Sequence, residues 1–181
     1  MNDVIERILV TEEEIIKRSK ELGAVITQDY RDAGKTPIVV GLLKGSVPFL
    51  AEIMKHIDLD IEIDFMDVSS YDGAQSVGDV KINKDLDKSV KGESILLVED
   101  IVDTGRTRKE VKKLLLHKGA ADVKIVSLLD KPSRRVIEIQ ADYVGFEIPN
   151  EFVVGYGLDY DQKYRNLPYI GVLRPQVYEN R

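Results

Sequence analysis

The densest chemistry in the chain lies in one stretch, Ile95-Leu96-Leu97-Val98-Glu99-Asp100-Ile101-Val102-Asp103-Thr104-Gly105-Arg106-Thr107. An apolar run ends on two adjacent carboxylates, and buried strands of open parallel sheets end at the crevice where ligands bind. Glu99 and Asp100 are therefore expected to face a site. Directly after them, Asp103 to Thr107 brings two threonine hydroxyls, a glycine and the amides of a helix start, a cradle suited to a phosphate dianion. Carboxylates beside such a cradle repel phosphate unless they hold another partner. Sugar hydroxyls supply one, since Glu99 and Asp100 can accept hydrogen bonds from the 2′ and 3′ positions of a ribose whose 5′ phosphate sits on the loop. The alternative is a strand meeting a capped helix, with Asp103 as N-cap.

Other nucleotide motifs fail on inspection. Gly73 and Gly78 have P-loop spacing but are followed by Asp79-Val80, and Gly155-Tyr156-Gly157-Leu158-Asp159-Tyr160 lacks its third glycine and does not open a helix. With no cysteine and only His56 and His117, both expected on helix surfaces, neither a disulfide framework nor a zinc site is expected. A net charge of −6 and a pI near 5.1 argue against a broad nucleic-acid footprint, so any phosphate site must be local. No apolar run approaches the roughly 20 residues of a membrane helix. The start, Met1-Asn2-Asp3-Val4-Ile5-Glu6-Arg7, lacks the basic and apolar blocks of a secretory signal, so a cytoplasmic protein is expected.

The elements that must position these residues read as α/β within one domain, 1–181. Thr11 to Glu14 fits a capping box, and Ile15, Ile16, Leu22 and Val25 form the stripe of an opening helix that ends before Asp32-Ala33-Gly34. Pro37 to Leu43 reads as a buried strand and Ser46 to Ile57 as a helix. Leu59 to Val68 alternates Asp60, Glu62 and Asp64 with Ile61, Ile63 and Phe65, the period of a half-exposed strand near a sheet edge. Ser69 to Gly78 is polar and aperiodic, the composition of a mobile lid loop. Ser94 to Val98, Arg106 to Lys118 and Val123 to Leu129 make strand, helix and strand, which implies parallel pairing through a right-handed crossover. Tyr143–Phe146, Phe152–Gly157 and Ile170–Leu173 are candidate short strands.

The thirteen-residue string resembles the phosphoribosyl pyrophosphate motif of type I phosphoribosyltransferases. Leu43-Lys44-Gly45-Ser46, Ser69-Ser70-Tyr71, Leu128-Leu129-Asp130-Lys131, Val144-Gly145-Phe146-Glu147-Ile148-Pro149 and Phe152 to Tyr160 narrow the resemblance to the hypoxanthine-guanine phosphoribosyltransferases, from about Val39 to Leu173. It implies a mostly parallel twisted sheet flanked by helices, the lid at 69–78, and a small hood built from 143–173 with the N-terminal segment. It assigns Glu99, Asp100, Asp103, Thr104, Gly105, Arg106 and Thr107 to ribose and phosphate, and Lys44, Gly45 and Arg165 to pyrophosphate. Asp103 becomes the proton acceptor at purine N7. Lys131 hydrogen-bonds the 6-oxo group, Phe152 stacks on the ring, Val153 reads the base edge through its backbone, and Ile101 and Asp159 complete the base site. Family members often carry glycine at the position of Ser46. The family's turn further implies a cis peptide between Leu43 and Lys44.

The same resemblance implies purine salvage: transfer of the 5-phosphoribosyl group to N9 of hypoxanthine or guanine, with Mg2+ held by Glu99, Asp100 and Asp159. Ser70 and Tyr71 would approach the pyrophosphate when the lid closes. A homodimer or homotetramer is expected, as is competitive inhibition by guanosine tetraphosphate, which carries both a 6-oxopurine and a pyrophosphate. No membrane or nucleic-acid partner is expected. Two rivals stay open: a regulatory RNA-binding protein on the same fold, opposed by the acidic pI, and an enzyme that prefers xanthine.

Overall fold

The computed structural model describes residues 2–70 and 80–179. A short strand, β1 (Ile5–Val10), leads into α1 (Glu12–Asp32), which the predicted capping box starts: Thr11 Oγ1 accepts from the Glu14 amide at 3.2 Å and Glu14 Oε2 from the Thr11 amide at 2.8 Å. The buried face of α1 runs through Ile15, Ser19, Leu22, Gly23, Ile26, Thr27 and Tyr30. Val25, expected in that stripe, is 51% exposed, because the 3.6-residue period carries the buried face past Leu22 to Ile26.

β2 (Ile38–Leu42), β3 (Glu62–Ser70), β4 (Val80–Lys84), β5 (Ser94–Val102), β6 (Asp122–Asp130) and β7 (Tyr143–Glu147) form a six-stranded sheet in the order β4-β3-β2-β5-β6-β7, parallel except for the β3–β4 pair. α2 (Val47–Ile53) follows β2, and α3 (Arg106–His117) makes the crossover from β5 to β6. One face of the sheet packs Val39, Leu96, Val98, Val126 and Leu128 against Ile15, Ile26, Phe49 and Ile53, and the other packs Val40, Leu97 and Ile125 against Val111 and Leu115.

The alternation in β3 departs from the expected one at two residues: Ile63 is 47% exposed and Asp64 is buried, while Glu62 is exposed and Ile61 and Phe65 pack on the core. Asp64 accepts hydrogen bonds from the Phe65 and Asp87 amides at 2.7 and 2.9 Å, so the chain beyond β4 folds over the carboxylate and satisfies it. Ser69 and Ser70, expected to open the lid, are the last residues of β3 and pair with Lys81 and Val80. The rest of that loop, Tyr71 included, lies outside the described residues.

A second, three-stranded sheet has the order β1-β9-β8, with β8 at Val153–Val154 and β9 at Ile170–Leu173, and a short α4 (Pro175–Tyr178) follows. β7, expected in the hood, is an edge strand of the large sheet, since its pairing with β6 from Val126↔Tyr143 to Asp130↔Glu147 leaves it no link to β8 or β9. Among the described residues no helix is long and apolar enough to cross a membrane.

β5 pairs with β2 only as far as Gly41↔Val98 but with β6 as far as Val102↔Asp130. From Glu99 onward one side of the strand is open, and the crevice lies there. The capping box gives a first test: Thr11→Ala should lower stability by about 1 kcal/mol, seen as a lower urea midpoint, with saturated turnover unchanged.

Candidate active site

Alternation along β5 sends Glu99 and Asp100 to opposite faces of the sheet. Glu99 is buried on the α3 side, where Oε2 lies 3.3 Å from Nη2 of Arg108. Arg108 is 3% exposed and also donates to the Ile101 carbonyl at 2.8 Å. Burial pushes the Glu99 carboxyl up to about 7, with Arg108 opposing the rise and Asp100 adding to it. Burial also raises Asp100, against the Ile101 amide that donates to Oδ1 at 2.8 Å.

Beyond β5 the cradle runs into α3. Gly105 is the N-cap, with φ of +85° and no side-chain cap, so the reading of Asp103 as N-cap does not hold. A β-carbon on Gly105 would also lie 2.5 Å from Ile139 Cγ2. The first-turn amides of α3 are left without a side-chain acceptor, beside the hydroxyls of Thr104 and Thr107.

On the other side of Asp100 lies the turn after β2, where the Leu43–Lys44 peptide is cis, as expected. A β-carbon on Gly45 would fall 1.8 Å from Asp100 Oδ2, and one on Gly157, whose φ is +99°, 1.9 Å from the Gly45 carbonyl oxygen. Arg165 Nη1 donates to the Gly157 carbonyl at 2.7 Å and lies 3.4 Å from Asp159 Oδ1. Gln162 Oε1 accepts from Arg165 Nη2 at 3.1 Å and from Lys44 Nζ at 3.4 Å, which holds the two cations together. The Lys44-Gly45 turn and Arg165, distant in sequence, are thus brought together, with Gly45 against Asp100 and Lys44 joined to Arg165 through Gln162.

A cavity of about 400 Å³ opens next to them, lined by Ile101, Asp103, Lys131, Phe152, Val153 and Asp159 together with Arg134, Glu151 and Tyr178. Burial lowers the Lys131 pKa, while Asp103 opposes that fall. Arg134 Nε donates to Asp103 Oδ1 at 3.0 Å. Arg135 ties the Asp103 carbonyl, at 3.1 Å, to Asp130 Oδ1, at 2.5 Å. Every residue expected at the base is therefore on one wall or another of a single pocket.

A family profile described as a phosphoribosyl transferase domain matches residues 9–161. The chain belongs to the phosphoribosyl transferase family. It is 62% identical to the hypoxanthine-guanine phosphoribosyltransferase of Lactococcus lactis subsp. lactis over 98% of this chain and 96% of that protein. It is 56% identical to that of Bacillus subtilis over 99% of both. The crystal structure of a hypoxanthine phosphoribosyltransferase from Staphylococcus aureus superposes with a TM-score of 0.94 at 51% identity, covering 99% of this chain and 97% of that one. The mostly parallel sheet with flanking helices is the type I phosphoribosyltransferase fold.

The family's magnesium was expected on Glu99, Asp100 and Asp159, yet among the described residues no group of three or more acids or histidines is arranged to hold a metal. Glu99 is paired with Arg108, and Asp159 Oδ2 accepts from the Gln162 amide at 2.8 Å. Asp100 has no ion-pair partner among the described residues. The donor set fits an ion that keeps waters and takes most of its oxygens from substrate phosphates, as magnesium does. The residues that sequence reasoning passed over are Arg108, Arg134 and Gln162. Arg108 alone left a signal, a charge on the stripe shared with Val111 and Leu115.

Two substitutions test this geometry. Gly45→Ala should displace Asp100 and lower kcat/KM on the order of a hundredfold while the circular dichroism spectrum is kept. Because Glu99 titrates higher when folded than unfolded, its burial costs stability increasingly as pH rises from about 4.5 to about 7. Arg108→Leu raises that carboxyl further, so it should cost about 3–5 kcal/mol near pH 8 and clearly less near pH 5. Equal costs in denaturation at both pH values would leave only the Ile101 hydrogen bond as the role of Arg108.

Proposed function

We propose that the chain is a purine-salvage enzyme that transfers the 5-phosphoribosyl group of phosphoribosyl pyrophosphate to N9 of hypoxanthine or guanine, giving IMP or GMP and pyrophosphate. The observation that carries this reading is the single pocket joining Lys131, Asp103 and Phe152, which reaches the cradle through Asp103 and the Lys44–Arg165 pair through Asp159. The names of relatives at 62% and 56% identity support it.

In this reading the 5′ phosphate sits on the Thr104, Gly105, Arg106 and Thr107 amides and hydroxyls, and the ribose hydroxyls donate to Glu99 and Asp100. The pyrophosphate takes the place between Lys44 and Arg165 where Gln162 Oε1 now accepts. N9 attacks C1′, the bond from C1′ to the pyrophosphate oxygen breaks, and the N7 proton passes to Asp103. Positive charge develops on the ribose and negative charge on the leaving group, so Lys44, the Gly45 amide and Arg165 favour the transition state. Asp100 and Asp159, with substrate oxygens, would hold magnesium, and the ion would supply charge stabilisation to the leaving group. Water must be kept from the ribose centre, a task that falls to the small sheet as a hood.

Lys131 sets the choice of base. An ammonium only donates, so it suits a 6-oxo oxygen and opposes the amino group of adenine. Sites that hydrogen-bond a substrate group can reject its analogue by about 10⁴. Lys131→Gln should slow hypoxanthine use and narrow its advantage over adenine, because an amide offers a donor or an acceptor. Asp103→Asn should depress turnover on every accepted base without that change in selectivity. Initial rates with hypoxanthine, guanine, xanthine and adenine measure both. Full turnover and full rejection of adenine by Lys131→Gln would remove Lys131 from the 6-oxo group.

The same two subsites support competitive inhibition by guanosine tetraphosphate, which rising phosphoribosyl pyrophosphate should relieve. A cytoplasmic homodimer or homotetramer completes the proposal, and light scattering of the purified protein measures the assembly.

A further inference from the structure

Phe152 has two aromatic neighbours. Tyr178 of α4 stacks on it with ring centroids 4.9 Å apart and planes inclined by 20°, and Tyr160 meets it edge-on at 5.6 Å and 84°. A phenyl ring has two faces, and Phe152 is still 38% exposed. Phe152 and Tyr178 both line the cavity shared with Ile101, Asp103 and Lys131, so the stacked pair forms part of its wall. Tyr178 is itself anchored, since it packs with Val177, Tyr160 and Tyr164 onto the small sheet's core of Ile5, Val154, Leu167 and Leu173. A continuous line of contact runs from that core through Tyr178 to Phe152 and the cavity.

We propose that Tyr178 is a positioning residue of the base subsite: stacked on one face of Phe152 in the cavity wall, it holds that ring so that the other face meets a purine. This rests on the assignment of Phe152 to the base. The Phe152 carbonyl accepts from the Leu173 amide at 2.8 Å, which fixes the backbone at the start of β8 but not the rotation of the ring. An unbacked ring there rotates, and a purine then binds at the cost of ordering it. Stacked aromatic pairs contribute beyond the area they bury. Lys44, Gly45 and Thr104 to Thr107 are not among the cavity's lining residues, so the effect falls on the base and spares phosphoribosyl pyrophosphate.

The test is steady-state kinetics with hypoxanthine and phosphoribosyl pyrophosphate varied in turn, on the wild type, Tyr178→Leu, Tyr178→Phe and Phe152→Leu. Tyr178→Leu keeps apolar bulk on the small sheet but loses the stack, and should raise KM for hypoxanthine about threefold to tenfold. KM for phosphoribosyl pyrophosphate and kcat should stay within about twofold. Tyr178→Phe, which keeps the stack, should restore the wild-type KM. Light scattering should give the same assembly for all four proteins. An unchanged hypoxanthine KM in Tyr178→Leu, a parallel rise in both KM values, or no rescue by Tyr178→Phe would overturn the proposal. If Phe152→Leu raises the hypoxanthine KM and Tyr178→Leu does not, only the role of Tyr178 fails. If neither raises it, the assignment of Phe152 to the base fails with it.

Discussion

Asp100 and Gly45 share a space that no β-carbon could enter, because a carboxylate oxygen lies 1.8 Å from where that carbon would be, and the arrangement of the site follows from this closeness. The end of β5 and the turn after β2 touch directly, so the acid and the backbone of the turn keep a fixed separation whatever the flanking side chains do. Gly157 repeats the constraint from above, its own missing side chain leaving room for the Gly45 carbonyl. Three segments far apart in sequence therefore close on one point, and Arg165, bonded to the Gly157 carbonyl, is delivered there by the same contact.

Electrostatics divides the two acids that local sequence joins. Glu99 is turned into the α3 side of the sheet and needs Arg108, while Asp100 is turned toward the crevice and leans on a backbone amide. Burial alone would neutralise Glu99. Arg108 works against that and favours the ionised carboxylate. Around the cavity the pattern is one of paired charges, with Arg134 on Asp103, Arg135 on Asp130 and Gln162 between Lys44 and Arg165.

Much of this was legible in the sequence, and what was not has physical causes. The capping box at Thr11, the parallel β5–α3–β6 crossover and the string from Glu99 to Thr107 depend on local patterning, and each is found where expected. The set of Ile101, Asp103, Lys131, Phe152, Val153 and Asp159 came from resemblance, and the cavity brings all six together. Ile63 and Asp64 were read in the wrong sense because the residue that buries Asp64, Asp87, arrives from another segment. β7 was set in the hood because four strand residues do not reveal which sheet they join, and only its pairing with β6 decides. Arg108, Arg134 and Gln162 reach Glu99, Asp103 and Lys44, which lie 9, 31 and 118 positions away, and local patterning does not reveal such partners.

The small sheet has one further property. Its central strand, β9, is its last in the chain, and both β1 and β8 are hydrogen-bonded only through it. During synthesis the large sheet acquires its final strand when β7 emerges, whereas β1, made first, waits without a strand partner until residues 170–173 arrive. Contacts this distant along the chain form late. The stretch from Glu99 to Thr107 can therefore take its place on the growing chain, and the wall carrying Phe152 and Val153 is completed afterwards, once β9 has paired with β1 and β8.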